Sequence, residues 1–281
     1  MSKKAERIKA VIRAAVPRGL RNWLRSPSKS AKWLWDSLKF SIGITKTLKF
    51  PSGHSIVCHP HAYQVFHTAQ IDDPEQREEF RNFVSHCSDK MILFDIGAHY
   101  GVFSLTAAHF GGAAIAIDPS PMAARMIATE VVLNGCADRI KVLQAAVGDA
   151  NGVLNMLSSG VFSAGYFKVA RGRSMRELTK TQAVTVDQMA GSYCVPTHIK
   201  IDVEGHELAV LRGATETLSR YSPLLFLELH NQMILLEGGD PNSSLDELAH
   251  LGYSLYTFDG ATLSRDAILK ETIIRCIASR G

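Results

Sequence analysis

The sequence predicts an α/β protein with a mainly parallel sheet that helices cover on both faces. From residue 91 onward, short apolar runs typical of strands alternate with longer segments in which apolar residues have helical spacing. Acidic residues, histidines and glycines gather where two of these strands end, at 95–101 and 202–207. That is the edge at which open α/β sheets bind their ligands. The composition, 46% hydrophobic and 21% charged, is that of an ordinary globular domain.

Seven strands are predicted in this part of the chain. They cover residues 91–95, 113–117, 140–147, 197–202, 223–229, 253–258 and 272–278. Helices are predicted at 102–110, 122–133 and 243–251, and a further helix begins at Glu207. Strands that alternate with helices run parallel, but only a short turn near Gly260 separates the last two, which we expect to pair antiparallel. Residues 261–270 leave room for a bulge or a small helix.

Residues 1–42 are predicted to form a basic helical arm. Residues 1–50 contain 13 Lys and Arg against two acidic residues, whereas the rest contains 18 Lys and Arg against 25 acidic residues. All three tryptophans lie among the positive charges of the arm. One interpretation is a helix at a membrane surface or on an anionic partner. The other is an arm that packs on its own body or on a second subunit of a homo-oligomer. No nucleic-acid partner is expected, because the acidic body would repel phosphate.

A β/α extension is predicted at residues 43–88, ahead of the main domain at 89–281. Apolar residues alternate at 44–66 around a turn at 51–53, which indicates strands. An Asp-Pro-Glu sequence then begins a short helix predicted at 73–84.

Residues 151–182 interrupt the alternation of strands and helices. They are rich in glycine and serine and contain a basic run. The basic residues are Lys168, Arg171, Arg173 and Arg176. We expect a hairpin with a mobile loop above the strand ends, which would serve as a substrate lid. A disordered insertion is the alternative.

The five cysteines are far apart and form no Cys-x-x-Cys pattern. This favours reduced thiols in a cytoplasmic setting over a disulfide framework or a structural zinc site. The sequence has no apolar run of about 18 residues, and its first 16 residues lack the apolar core of a signal peptide. The expected location is the cytoplasm, with peripheral contact at the inner face of the membrane if the arm binds lipid.

The turn after the first predicted strand has the composition of a small-molecule site. It reads Asp95-Ile-Gly97-Ala98-His99-Tyr-Gly101. Its glycines allow a tight turn and a close approach of the backbone to a ligand. The spacing of the two glycines differs from the Gly-x-Gly-x-x-Gly of NAD sites. A carboxylate beside this turn suits a cationic or amine-bearing ligand.

Asp118 ends the second predicted strand, where a carboxylate can accept hydrogen bonds from both hydroxyls of a ribose. The alternative is that Asp118 only caps the helix that follows Pro119. After the third strand, Ala146 and Val147 could contact an adenine ring. Two acids at the ends of adjacent strands favour a nucleoside site.

These motifs together resemble those of FkbM-type S-adenosylmethionine-dependent methyltransferases. The matching motifs are Asp95-Ile-Gly-Ala-His-Tyr-Gly101, Asp118-Pro119, Ala146-Val-Gly-Asp149, Thr185-Val-Asp187, Ile199-Lys-Ile-Asp-Val-Glu-Gly-His-Glu207 and Leu227-Glu-Leu-His230. The resemblance covers about residues 91–278 and implies a Rossmann-like seven-stranded sheet with an antiparallel last strand. It also implies S-adenosylmethionine as methyl donor and O-methylation of sugars or natural products. The family commonly has Asn at the position of His99.

The resemblance implies a role for each matching residue. The cofactor-binding residues would be Asp95, Gly97, Ala98, His99 and Gly101 around the methionine part, Asp118 at the ribose, and Ala146 and Val147 at the adenine. The catalytic candidates are Asp202, His206 and Glu204, with Asp202 the strongest, because methyl transfer to a hydroxyl needs a base. Substrate binding falls to Glu228, His230 and Asn231, and Glu207 is interpreted as a helix residue.

A metal-assisted mechanism is the alternative for this edge. Asp202, Glu228 and His230 could hold Mg²⁺ or Mn²⁺, which would lower the pKa of the acceptor hydroxyl. The sequence therefore predicts a methyltransferase that acts on a hydroxyl of a sugar, glycolipid or natural product. The rival hypothesis is a catalytically silent nucleoside-binding or membrane-adaptor protein with the same fold.

Overall fold

The computed structural model describes residues 29–158, 167–169 and 178–281. Its first elements are a helix, a small hairpin and two further helices. They are α1 (Lys29–Ser41), β1 (Lys46–Lys49), β2 (Ser55–Cys58), α2 (Pro60–Asp72) and α3 (Pro74–His86). Most of the predicted basic arm, residues 1–28, lies outside the described residues, and so do Arg171, Arg173 and Arg176 of the predicted lid.

The regular alternation of strands and helices begins at Ile92. Its first part contains β3 (Ile92–Ile96), α4 (Val102–His109), β4 (Ala113–Asp118), α5 (Pro121–Leu133) and β5 (Ile140–Gln144). Four strands follow, namely β6 (Ala146–Val147), β7 (Gly152–Ser158), β8 (Phe167–Val169) and β9 (Leu178–Val184). The last part contains α6 (Val186–Ser192), β10 (His198–Ile201), α7 (Glu207–Arg212), α8 (Thr215–Tyr221), β11 (Leu224–Leu229), α9 (Asn231–Leu236), α10 (Asn242–His250), β12 (Tyr253–Tyr256), α11 (Arg265–Lys270) and β13 (Ile274–Arg280).

The main sheet has seven strands in the order β12-β13-β11-β10-β3-β4-β5. β13 is antiparallel to both of its neighbours, and the pairs from β11 to β5 are parallel. The predicted mainly parallel, seven-stranded sheet with an antiparallel last strand is confirmed. Ile96 of β3 is aligned with Ile201 of β10 and with Ile117 of β4. The carboxyl ends of these three central strands therefore lie at one edge.

Both faces of the main sheet are buried, because successive side chains of a strand point to opposite faces. Phe94, Ile117 and Ile199 belong to one apolar cluster, and Leu93 and Phe226 belong to another. The second cluster also contains Leu48, Ile56, Phe80 and Phe83 from the N-terminal elements. Residues 43–88 thus share a hydrophobic core with the sheet.

The N-terminal hairpin is attached to α5 by buried polar side chains. The Asn134 side chain accepts a hydrogen bond from the Val57 amide and donates one to the Val57 carbonyl, each at 2.8 Å. The His59 amide donates to Glu130 Oε1 at 2.7 Å. The other oxygen of Glu130 is buried without a hydrogen bond, and burial raises the pKa of Glu130 to about 8.

The predicted strand at 140–147 is wrong in its length, since β5 ends at Gln144. The chain then leaves the main sheet, and β6 pairs in parallel with β9. A second sheet results, with strands in the order β6-β9-β7-β8. Its antiparallel β7 and β9 correspond to the predicted hairpin, with Gly152 opposite Ala183.

The predicted strands at 44–66 are confirmed only up to Cys58, since α2 occupies the rest. Proline suits the first position of a helix, where its missing N–H is not needed. α2 then packs Phe66 against Phe80 of α3, with ring centroids 5.0 Å apart. The predicted helix at 73–84 is confirmed as α3, and the Asp73 side chain caps it by accepting from two backbone amides.

Within the described ranges, the helices lack the combination of length and hydropathy that crossing a membrane requires.

Candidate functional site

The turn between β3 and α4, residues 97–101, has an unusual backbone. Gly97, His99 and Gly101 have φ values of +82°, +50° and +66°. Glycine adopts such angles without strain, and Asn and His do so more readily than most other residues. Position 99 can therefore hold either the histidine of this chain or the asparagine that is common in the family. The turn is preserved with either residue.

Gly97 touches the end of β10 directly. A Cβ at this position would lie 1.8 Å from the carbonyl oxygen of Asp202, so only glycine fits there. The Asp202 amide also donates to the carbonyl of Ile96, the last residue of β3, at 3.0 Å. The β3–α4 turn and the acidic end of β10 are consequently one continuous site.

Asp118 lies across the turn and accepts hydrogen bonds from two backbone amides. Its Oδ2 accepts from the His99 amide at 3.0 Å, and its Oδ1 accepts from the Ser120 amide at 2.8 Å. Burial raises the pKa of Asp118 to about 7. Each carboxylate oxygen can accept about two hydrogen bonds, so one acceptor position on each remains for a ligand. Two neighbouring acceptor positions fit the two hydroxyls of a vicinal diol, such as that of a ribose.

The other predicted cofactor residues lie around the same turn, and several of them are buried. Asp95 accepts from the Ser104 amide at 3.1 Å and from its hydroxyl at 2.6 Å, which fixes the first turn of α4. Burial raises the pKa of Asp95. Ala98 is buried in the turn, and Ala146 and Val147 are buried at the start of the second sheet.

A histidine surrounded by carboxylates lies where β10 and β11 end. We call Asp202, Glu204, Glu207, Glu228 and His230 the His230 cluster. Its central contact is a hydrogen bond of 2.8 Å between His230 Nδ1 and Glu207 Oε1, both buried. With a carboxylate as acceptor, Nδ1 is the ring nitrogen that carries the proton. The other nitrogen, Nε2, lies 3.9 Å from both Asp202 and Glu204 and 3.6 Å from Glu228.

The charge of His230 depends on these neighbours. Burial alone lowers the pKa of His230, but the hydrogen bond to Glu207 and the charges of Glu207, Asp202 and Glu228 outweigh it. The pKa of His230 is thereby raised to about 9. Asp202 and Glu204 expose 34% and 37% of their side chains and are the most exposed members of the cluster.

Two buried cations lie behind the His230 cluster. Lys200 Nζ lies 3.0 Å from Glu79 of α3, 3.7 Å from Asp202 and 3.8 Å from Glu228. Arg275 of β13 donates to Glu228 at 2.7 Å. Burial opposes the charge of Lys200, but the three carboxylates keep its pKa above the usual value. Glu228 is therefore neutralised from behind.

The predicted metal ligands do come together. One ligand atom each from Asp202, Glu228 and His230 lie within 4.8 Å of one another. Two oxygens and a nitrogen are a donor set that Mn²⁺ accepts. A metal would compete with Arg275 and Lys200 for Glu228, and with the proton on His230.

Two further predicted residues have contacts with other parts of the chain. The ring of His206 lies beside Gly148, where a Cβ would be 3.4 Å from its Nε2. The amide of Asn231 donates to the carbonyls of Ile268 and Glu271, at 2.8 and 3.0 Å, and so fixes α11. Glu204 has a φ of +55°, a rare conformation that aims its side chain at the cluster.

Sequence reasoning missed the part that Glu207, Lys200, Glu79 and Arg275 have in the site. One signal was available, because Lys200 is a charged residue within the apolar strand from Ile199 to Ile201. A lysine in such a strand is buried and requires carboxylate partners. The partners themselves come from distant parts of the chain.

The sequence profile of the methyltransferase FkbM domain matches residues 95–255, more than half of the chain. No curated protein sequence matches. In structure, the chain is similar to methyltransferase FkbM from Methylobacillus flagellatus KT at 17% identity and a TM-score of 0.47, covering 90% of this chain and 55% of that one. It is also similar to the O-methyltransferase from Bacillus cereus in complex with SAH, at 11% identity and a TM-score of 0.41, with 89% and 98% covered. Cofactor-bound Rv0187 from MTB has 12% identity and a TM-score of 0.42, with 78% and 89% covered. On the profile match, the chain belongs to the FkbM methyltransferase family.

Proposed function

We propose that the protein is an S-adenosylmethionine-dependent O-methyltransferase whose acceptor hydroxyl binds at the His230 cluster. The observation that supports this most strongly is the Glu207–His230 pair, at 2.8 Å, with the other ring nitrogen, Nε2, 3.9 Å from two partly exposed carboxylates. A carboxylate that orients a histidine is a common arrangement for a general base. The proposal is also supported by the contact of Gly97 with Asp202, whose carboxylate lies 3.9 Å from His230 Nε2.

S-adenosylmethionine, when bound, supplies a methyl group on a positively charged sulfur. The residues proposed to bind it are Asp95, Gly97, Ala98, His99, Gly101, Asp118, Ala146 and Val147. Asp118 supports this assignment because it retains one hydrogen-bond acceptor position on each oxygen. The carboxylates of the His230 cluster add negative charge beside the turn, which favours a cationic ligand.

In the proposed mechanism, His230 removes the proton from the acceptor hydroxyl at Nε2. Glu207 holds the other ring nitrogen protonated and stabilises the imidazolium that forms. Asp202 and Glu204 accept hydrogen bonds from hydroxyls of the acceptor and hold its reacting oxygen in line with the methyl group. Paired carboxylates of this kind suit a polyol, so the proposed acceptor is a sugar or a glycolipid.

A methyl-transfer assay with isotope-labelled donor and a panel of sugar acceptors tests the proposal. We expect product with the unaltered protein and a loss of roughly 10²–10⁴-fold in kcat for His230→Gln. The affinity for S-adenosylhomocysteine, measured by calorimetry, should be unchanged in this variant. His250→Gln, an exposed histidine of α10, is the matched control. Binding of S-adenosylhomocysteine without transfer to any acceptor would favour the silent nucleoside-binding protein.

The metal-assisted mechanism is tested in the same assay. Glu228 is already bound by Arg275, which favours the metal-free mechanism. We expect full activity after dialysis against a chelator. If the chelator abolishes activity and Mn²⁺ restores it, His230 is not the base. A metal held by Asp202, Glu228 and His230 would then lower the pKa of the acceptor hydroxyl.

A further inference from the structure

The N-terminal extension contains a cavity of about 230 Å³ that the proposed reaction does not use. It lies between the β1–β2 turn, α2 and α3. We propose that this cavity binds a single alkyl chain with an anionic headgroup, as in a fatty acid. The cavity lies on the side of α3 away from Glu79, whose carboxylate faces Lys200. Binding there does not depend on the proposed function.

The walls of the cavity are apolar and held in place by aromatic packing. Leu48, Phe50, Phe66, Phe80 and Val84 line it. The ring centroids of Phe50 and Phe66 lie 4.8 and 5.0 Å from that of Phe80. These contacts fix the rings around the cavity in the absence of a ligand, so binding an apolar chain requires little rearrangement.

The size of the cavity restricts its occupant. Pockets for drug-sized ligands enclose about 300–1,000 Å³, so this one is smaller than most. A cavity of this volume accommodates one alkyl chain more readily than the two chains of a diacyl lipid. When an alkyl chain fills the cavity, its apolar surface is removed from water, which is the main driving force for binding.

The rim of the cavity is cationic. Lys49, His67, Arg77 and Arg81 lie around it. Arg81 is paired with Glu78 at 3.1 Å. Among the residues that the structure describes, Lys49 and Arg77 form no ion pair and donate no side-chain hydrogen bond, so their charges are available. An apolar cavity below two unpaired cations is complementary to an alkyl anion and repels an alkyl cation.

Calorimetry on the full chain at pH 8 with three ten-carbon probes tests the headgroup preference. The probes are decanoate, decanol and decyltrimethylammonium. We expect decanoate to bind roughly tenfold more tightly than decanol, as one charge-assisted hydrogen bond provides, and decyltrimethylammonium to bind least. Equal affinities for the anion and the cation would overturn the proposal. An absence of binding would also overturn it, because it would show that the protein's own residues close the cavity.

Two variants locate the site. Arg77→Gln should lower the affinity for decanoate to that for decanol, whereas Arg125→Gln, an exposed arginine of α5, should leave it unchanged. Val84→Phe should fill the cavity and abolish binding of both probes while the thermal unfolding midpoint stays within a few degrees. Decanoate binding that survives both Arg77→Gln and Val84→Phe would place the probe elsewhere and refute the assignment.

Discussion

Two groups of buried carboxylates lie at the same edge of the sheet, but the protein stabilises them by different means. Asp118 and Asp95 lie beside the β3–α4 turn and are held by backbone amides and a serine hydroxyl. Glu228 belongs to the His230 cluster and Glu79 lies behind it, and both are held by Lys200 and Arg275. The first group has no cationic side chain within ion-pair distance in the described ranges, and the second has two.

The difference shows which group depends on a ligand. Burial raises the pKa of Asp118 to about 7, and its two backbone donors bring no positive charge to offset this. Burial also raises the pKa of Glu228, but the positive charges of Lys200 and Arg275 counteract it. The turn is therefore suited to bind hydroxyl donors, and the His230 cluster is suited to hold a fixed set of charges around a base. The following experiments test that contrast.

The largest effect is expected for Lys200→Met. Removing the cation leaves Glu79 and Glu228 buried without its charge, and breaking a buried ion pair in this way costs about 3–5 kcal/mol of unfolding free energy. Urea unfolding followed by circular dichroism measures this. Lys90→Met, an exposed lysine, is the control.

Adding Glu79→Gln to Lys200→Met should recover part of the loss, because it removes the carboxylate that lies nearest to the missing cation. If the single and double variants are equally stable, the ion pair between Lys200 and Glu79 is not what stabilises the region behind the His230 cluster.

The second effect concerns Asp118, which lacks such cations. Asp118→Ala removes two charge-assisted hydrogen bonds to the proposed ribose, which should raise the Kd for S-adenosylhomocysteine roughly a hundredfold or more. Calorimetry measures the affinity, and Asp138→Ala, an exposed residue, serves as control. An unchanged Kd in a folded Asp118→Ala protein would remove Asp118 from the cofactor site.

The third effect is the pH dependence of kcat/KM, which tests the His230 cluster and not the β3–α4 turn. Since the pKa of His230 is raised to about 9, the neutral form that acts as base increases with pH up to that value. The kcat/KM should therefore rise almost tenfold per pH unit above pH 7 and level off near pH 9.

Asp202→Asn removes one of the charges that raise this pKa, so the rise in kcat/KM should shift to lower pH. A flat profile between pH 7 and 9 would mean that a carboxylate of the cluster, and not His230, is the base.

The smallest effect extends the comparison to Glu130, a third buried carboxylate without a cation. Its pKa is raised to about 8 by burial. Below the pKa of glutamate in the unfolded chain, Glu130 is protonated in both states and its burial costs no stability. As the pH rises towards 8, ionisation is favoured only in the unfolded chain, so the folded protein loses stability. Glu130→Gln should remove this loss, so the unfolding free energy of the variant should fall less between pH 5 and pH 9 than that of the unaltered protein. Urea unfolding at the two pH values checks this; equal pH dependence in both proteins would contradict it.

The sequence predicted what local patterns encode. The apolar runs gave the seven strands, and the Asp95–Gly101 and Asp202–Glu207 segments gave the edge that contains the site. The resemblance led to the family. The Glu207–His230 contact could not be found in this way, because Glu207 also fits a helix start and its partner lies 23 residues further on. The Lys200–Glu79 pair joins a strand to a helix of the extension, a contact that only the folded chain creates.

The errors in secondary structure have physical causes as well. Residues 60–66 alternate as a strand does, but a proline at the first position and packing of Phe66 against Phe80 favour a helix. The run from Ile140 to Val147 is mostly apolar, yet its last two residues find their partner in β9 and not in the main sheet.

The departure of the chain at Gln144 also has a consequence for engineering. In the β6–β9 pair, Val147 lies beside Val184, so the chain leaves the core and returns to it at neighbouring points. A segment whose two ends meet can change in length or composition at little entropic cost to the rest of the fold. The segment between these two points, which contains β7, is therefore a place where the chain can be altered. Exchanging it for the equivalent segment of another family member would test whether it takes part in acceptor recognition, as the predicted lid would.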